Sequence, residues 1–221
     1  MRRMTWILAL MLSAGVLLAA GCGDDDDDGG ASAADLKKQL LPASQIPGYK
    51  VQRTLEWDDS VDAVVEGLFL PEETPPSRAV DVYEEAGFEA GAGERLVVKK
   101  GSPFEGPQAT VEVVAFGSDE DARDALDFVH GEDLKQPCFA VCSVNPSEMA
   151  VDGIPGAKGA KLLPLKKPPP NAPPPFEAYG VEFTIGPRLY VVSAGGGPNQ
   201  VKADLVLDAA RQLYARNKGS S

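Results

Sequence analysis

Apolar positions fall into three regimes along the chain. Trp6 to Ala20 is an almost unbroken apolar run, Gly23 to Ala34 has no apolar periodicity, and from residue 35 onward alternating runs exchange with runs at helical spacing. In the third regime Leu36 to Leu41 predicts a short helix stopped by Pro42, and Tyr49 to Trp57 alternates as a strand. Asp58 to Leu70 reads as a helix, or a helix leading into a strand, with Val61, Val64, Val65 and Leu68 on one face and Pro71 ending it. Ser77 is the expected N-cap of a helix over Arg78 to Ala86, with Gly87 as its C-cap.

The middle and the end of the chain share one plan. Glu94 to Lys100 and Ala109 to Phe116 read as strands joined by the turn-rich "GSPFEGPQ", followed by a helix that Ser118 caps and that runs from Asp119 to about His130. Ala122, Ala125, Leu126 and Val129 form its apolar stripe. Ala178 to Ile185 and Leu189 to Ser193 make a second hairpin around "GPR", and Val201, Leu205, Ala209 and Leu213 mark a helix from about Asn199 to Ala215. Two strand-strand-helix units imply an α+β fold, an antiparallel sheet with helices packed on one face. A proline-rich loop over residues 164–175 fits neither period and reads as a stiff, polyproline-like excursion.

The first regime has the layout of an export signal. Arg2 and Arg3 give a basic start, the apolar run is short for a membrane span, and Ala19-Ala20-Gly21 places small residues before Cys22. This stretch resembles the lipobox of bacterial lipoprotein precursors, with Leu18 one place earlier than the commonest pattern and Ala19 in its position. The resemblance implies a diacylglyceryl group on the Cys22 sulfur and cleavage between Gly21 and Cys22, so that residues 1–21 are a signal peptide. A thiolate is the side chain able to form such a thioether near neutral pH, and two acyl chains, at about 0.8 kcal/mol per buried methylene, anchor a protein durably.

Residues 22–34 then read as the lipidated cysteine with a disordered acidic tether, and 35–221 as one globular domain. Fully extended, the tether reaches about 40 Å at about 3.3 Å per residue. The aspartates from Asp24 to Asp28 repel one another and an anionic bilayer, holding the domain away from the membrane. Consecutive aspartates lack the spaced ligands and turn glycine of a calcium loop, so no metal is expected.

Composition narrows the partners. The chain has 221 residues and a formal net charge of -12, with 33 acidic against 21 basic side chains and no basic cluster, which disfavours nucleic acid. Of the three cysteines, Cys138 and Cys142 remain once Cys22 carries lipid. Outside the cytosol such a pair is expected to close a small structural disulfide, with free thiols as the alternative.

Candidate chemistry is sparse. No G-x-S-x-G, H-E-x-x-H, P-loop or zinc pattern is present, so no catalytic residue, cofactor or metal ligand is assigned. The single histidine, His130, stands beside Gly131 near the expected helix end, where capping or facing water is the default. Gly195-Gly196-Gly197-Pro198 precedes a helix and has anion-loop character without a dinucleotide spacing; "GAG" at Gly91 to Gly93 is weaker still. Phe176, Tyr179, Phe183 and Tyr190 cluster on the late hairpin, with Val181, Phe183 and Ile185 core-facing and Tyr179 or Tyr190 available to a ligand if one sheet face stays open.

"FGSDEDARDAL" and the ending "LDAARQLYAR" are similar to secreted α+β lipoproteins of actinobacterial type, some related in plan to sensor domains outside the cell. Such families are mostly of unknown function; it is the lipobox, the tether and the absence of a catalytic constellation that lead to the expectation of a cell-membrane lipoprotein facing the extracytoplasmic side, with a small-molecule or protein ligand in the envelope and no enzymatic activity. An envelope hydrolase with a carboxylate-based site that leaves no linear motif is the alternative.

Overall fold

The computed structural model describes residues 30–58, 61, 76–99, 106–135, 144–167 and 175–219. Its centre is an antiparallel sheet of seven strands in the order β1-β2-β3-β7-β6-β5-β4. The strands are β1 (Tyr49–Trp57), β2 (Phe88–Val98), β3 (Gln108–Phe116), β4 (Val144–Glu148), β5 (Lys158–Pro164), β6 (Glu177–Ile185) and β7 (Arg188–Gly196). Among the described residues four α-helices accompany them: α1 (Ala33–Lys37), α2 (Pro76–Glu85), α3 (Asp119–Lys135) and α4 (Ala203–Asn217).

The antiparallel α+β class and both strand-strand-helix units, β2-β3-α3 and β6-β7-α4, are those the sequence predicts. The helices divide between the two faces, where the sequence reading stacks them on one. On the first face α1 and α4 cover a core of Leu36, Val111, Val113, Val181, Phe183, Tyr190, Val206 and Leu213. On the second, α2 and α3 cover Trp57, Tyr83, Val114, Phe116, Ala122, Ala125, Leu126, Leu189 and Val191. The composition of β3 states the reason: Ala109 through Phe116 is buried at every position, with Val111 and Val113 on one face and Val114 and Phe116 on the other, so both faces need helices over them.

Local chemistry fixes the helix ends. The Ser118 hydroxyl accepts from the Asp121 amide at 3.2 Å and donates to the Asp121 carboxylate at 2.6 Å, the expected cap of α3. Pro76 is the first residue of α2, one place before the expected cap at Ser77, because a first-turn position needs no amide hydrogen. Gly87, at φ 62°, ends that helix as expected. The folded part begins before residue 35: Ser32 caps α1 and Ala33 is fully buried, so residues 31–34 belong to the domain and not to a tether.

The second hairpin turns on Gly186 and Pro187 between the paired Ile185 and Arg188, with Gly186 at φ 57° as a two-residue turn of the mirror-image type requires. Two strands, β4 and β5, lie where no strand is expected from the residue pattern. β4 is an edge strand holding Pro146, whose missing amide hydrogen an edge tolerates and a central strand would not. The last helix is tied to the first segment: Asn217, 2% exposed, donates to the Gln39 and Leu213 carbonyls, and Arg216 donates to the Lys38 carbonyl.

Candidate functional site

The second face carries the polar groups that the core does not account for. Register places Gly93, Glu112, Val191, Glu182 and Lys158 side by side in one row across β2, β3, β7, β6 and β5. The next row brings Arg95, Thr110, Ser193 and Gly180 together. Within them Thr110, Glu112 and Glu182 are 3%, 2% and 1% exposed. Two acids stand on one buried face, two strands apart, with Val191 between them.

Helix α3 lies over this row and supplies its partners. His130 Nδ1 is 3.2 Å from Glu182 Oε2, and one turn earlier Asp127 accepts from Lys158 Nζ at 2.5 Å. The two contacts meet neighbouring strands at residues that are themselves paired, so they fix both the height and the rotation of α3. Glu112 lacks such a partner on the helix. Burial pushes its carboxyl up to about 8, against the pull of the Arg95 guanidinium. Oε1 of Glu182 and Oγ1 of Thr110 are buried without a hydrogen bond.

Trp57 closes the row at the β1 side. A Cβ built on Gly91 would lie 2.8 Å from the Trp57 ring, and one on Gly93 would lie 2.9 Å from Glu112 Cγ and 3.3 Å from the same ring. The "GAG" stretch is therefore a seat for an indole and a glutamate, with no anion to hold. The Gly195–Gly197 loop is likewise occupied from within: the Gly197 amide donates to Gln200 and the Asn199 amide to the Glu177 carboxylate, where an anion would be repelled.

His130 departs most from its expected setting. α3 continues to Lys135, so the imidazole sits inside the helix at 12% exposure against the sheet, neither capping nor facing water. Tyr190 is fully buried, stacks on Phe183 at 5.1 Å and donates to Gln39 Oε1 at 2.7 Å, while burial pushes its phenol up to about 12. It offers nothing to a ligand. Phe176 is 37% exposed, and Tyr179 is partly buried against the first-face core.

Gly21 and Cys22, the aspartates 24–28, the pair Cys138 and Cys142, all of the expected helix over 58–70 except Asp58 and Val61, and residues 168–174 of the proline-rich loop lie outside the described residues. Among the described residues no three His, Cys, Asp or Glu side chains are placed to hold a metal, and no helix is long and apolar enough to cross a membrane. Glu112 and Glu182 were missed in the sequence, although each interrupts an apolar strand in the same way, as "VEV" over 111–113 and "VEF" over 181–183.

No family model and no curated protein match the chain. Among solved structures it is similar to the extracellular domain of PknH from Mycobacterium tuberculosis, at TM-score 0.54 and 15% identity over 86% of this chain and 98% of that one. A second similar structure is an uncharacterised protein of Mycobacterium smegmatis, the Rv0999 ortholog, at TM-score 0.42 and 12% identity over 84% and 95% of the two chains. At such identity the likeness to the PknH domain is one of fold: this chain folds as that extracellular domain does.

Proposed function

We propose that the chain is an exported lipoprotein, anchored to the outer side of the cell membrane through a lipid on Cys22, whose domain binds a ligand or partner without turning it over. The seam at Gly21-Cys22 carries the anchor: an apolar leader, small residues and a cysteine directly before the acidic stretch. The extracellular setting of the PknH domain supports the same side of the membrane. A disulfide between Cys138 and Cys142 belongs to this reading, since both would then meet an oxidising compartment. Mass spectrometry of the native protein tests it. A diacylglyceryl-modified Cys22 at the new amino terminus is expected; an unmodified cysteine or a retained leader overturns the anchor.

The binding role rests on the second face, where oxygens of Thr110 and Glu182 are buried without partners. Native groups of this kind ordinarily find a partner, so their state in isolation points to a missing one. One observation favours the alternative of an envelope hydrolase: two acids share a face, and one of them is held neutral up to about pH 8. At 2% and 1% exposure, however, neither carboxyl meets a polymeric substrate beneath α3. Hydrolysis of envelope polysaccharide or peptide by the purified protein, abolished in E112Q, would reverse the assignment.

A further inference from the structure

Bases that stand apart in the sequence meet at one corner of the sheet. Lys50 and Arg53 belong to the edge strand β1, Arg95 to β2, and Lys99 follows directly on β2. Register pairs Arg53 with Arg95, and Lys50 with Val97, two places before Lys99, whose amide donates to the Gly48 carbonyl at 2.8 Å. Residues opposite one another share a face, and the next partners, Thr110 and Gln108, make this the second face. Lys50, Arg53 and Lys99 are exposed there, with Arg95 half-buried behind them.

Charge is segregated across this strand pair. The first face carries Glu56 and Glu94, and Lys37 of α1 bonds Glu56 at 2.6 Å; the second carries the bases. Among the described residues Lys50, Arg53 and Lys99 enter no ion pair, and the acid in the Arg53 row, Glu148, lies on the opposite edge strand. The next acid on this face, Glu112, is held neutral up to about pH 8. Like charges directly opposite in a sheet repel, and an anion seated between them cancels that cost. In a chain of net charge -12, this corner is built for the opposite sign.

Position decides which anions reach it. Ala31 and Ala33 enter the domain at the other end of these strands, their amides donating to Glu89 and Asp58 at 3.1 and 2.7 Å. From Asp58 back to Lys50 the chain runs about 26 Å at about 3.3 Å per residue, well beyond a Debye length from the side where a tether to Cys22 leaves. One guanidinium satisfies a carboxylate, whereas the tetrahedral oxygens of a phosphate suit two guanidiniums and the ammonium groups beside them. We propose that the corner formed by Lys50, Arg53, Arg95 and Lys99 binds the phosphate group of an envelope ligand, on the end of the domain turned away from the membrane. That orientation rests on the anchor of the proposed function; the site itself rests on the bases.

Titration calorimetry of the full chain in neutral detergent, with inorganic pyrophosphate against citrate at constant ionic strength, tests the site. The two anions are of similar charge, so a preference reads geometry. Saturable binding of pyrophosphate is expected, with citrate clearly weaker. R53Q should weaken pyrophosphate about ten-fold and K50Q/K99Q several-fold, while K218Q, beyond the end of α4, leaves it unchanged, all folded by circular dichroism. No binding, equal binding of citrate, unchanged affinity in R53Q, or an equal loss in K218Q overturns the proposal. The same titration follows in vesicles of phosphatidylcholine with and without phosphatidylglycerol. Equal pyrophosphate affinity in both is expected; a loss in the anionic vesicles would give the corner to lipid headgroups and overturn the outward ligand. A Cys22 without lipid in mass spectrometry would remove the anchor and the orientation, while the titration in detergent still decides the phosphate site.

Discussion

The imidazole of His130 and the carboxylate of Glu182 meet at 3.2 Å across the α3–β6 interface, at 12% and 1% exposure. A carboxylate so far from water is tolerated only while something bonds it, and His130 is the group that does. H130A should therefore destabilise the protein by about 2–4 kcal/mol, more than loss of one ordinary hydrogen bond. The double variant H130A/E182L removes the stranded acid and should recover most of that loss. Urea denaturation of the three proteins measures both steps, and an equal loss in single and double variants would mean that the contact carries no such weight.

Gly91 and Trp57 are a second coupled pair. A methyl group at 91 would sit 2.8 Å from the indole, closer than real Cβ contacts, and the ring is 6% exposed with the sheet beneath it. G91A is expected to cost about 1–3 kcal/mol as an overpacked core position. In a W57L background the same change should cost clearly less, since the ring it strikes is gone. The check is a double-mutant cycle by denaturant melts; additive effects would contradict the packing.

On the opposite face, Tyr190 donates to Gln39 at 2.7 Å and thereby ties the central strand β7 to the segment after α1. Y190F keeps the stack on Phe183 but strands the Gln39 oxygen, at a cost of about 1–2 kcal/mol. Hydrogen exchange should show the loss concentrated in residues 33–46, because that segment is the one released. A uniform loss across the sheet would argue that the hydroxyl serves only global stability.

How far the sequence discloses this molecule depends on which signal each element sends. Tyr49–Trp57 is read to the residue because its flanking turns are strong, and the stripe Ala122, Ala125, Leu126 and Val129 is buried as its spacing requires. β4 sends no signal: a five-residue edge strand with Pro146 has neither length nor alternation, and only pairing with β5 makes it a strand. The placement of helices on both faces was written in β3, where Ala109, Val111, Val113 and Ala115 on one face and Val114 and Phe116 on the other are all apolar, unlike the alternation of a one-sided sheet, but such a pattern, broken by Thr110 and Glu112, is ambiguous without its neighbours. The candidate site was hidden for a related reason. Glu112 and Glu182 are far apart in sequence and become one row only through the β3-β7-β6 register, while His130 joins them because α3 continues past Gly131.

The buried acid at 112 makes the pH dependence of stability predictable in sign. Burial raises its folded-state value from 4.5 to about 8, so between these limits the folded protein holds a proton that the unfolded chain has released. Folding then takes up a proton, and the contribution of Glu112, complete below about pH 4.5, is lost as pH climbs to 8. The loss is on the order of a few kcal/mol, since each pK unit corresponds to about 1.4 kcal/mol and the shift is what remains after the Arg95 guanidinium has offset part of the burial. Glutamine keeps the shape of the neutral acid and cannot ionise. The difference in unfolding free energy between E112Q and the parent chain should therefore grow in favour of E112Q from pH 5 to pH 8. Urea melts at intervals of one pH unit would read that difference, because the other titrating groups are common to both proteins and cancel. A difference that stays flat over this range would mean that Glu112 is ionised in the folded state, with its charge compensated by Arg95 more completely than its burial suggests.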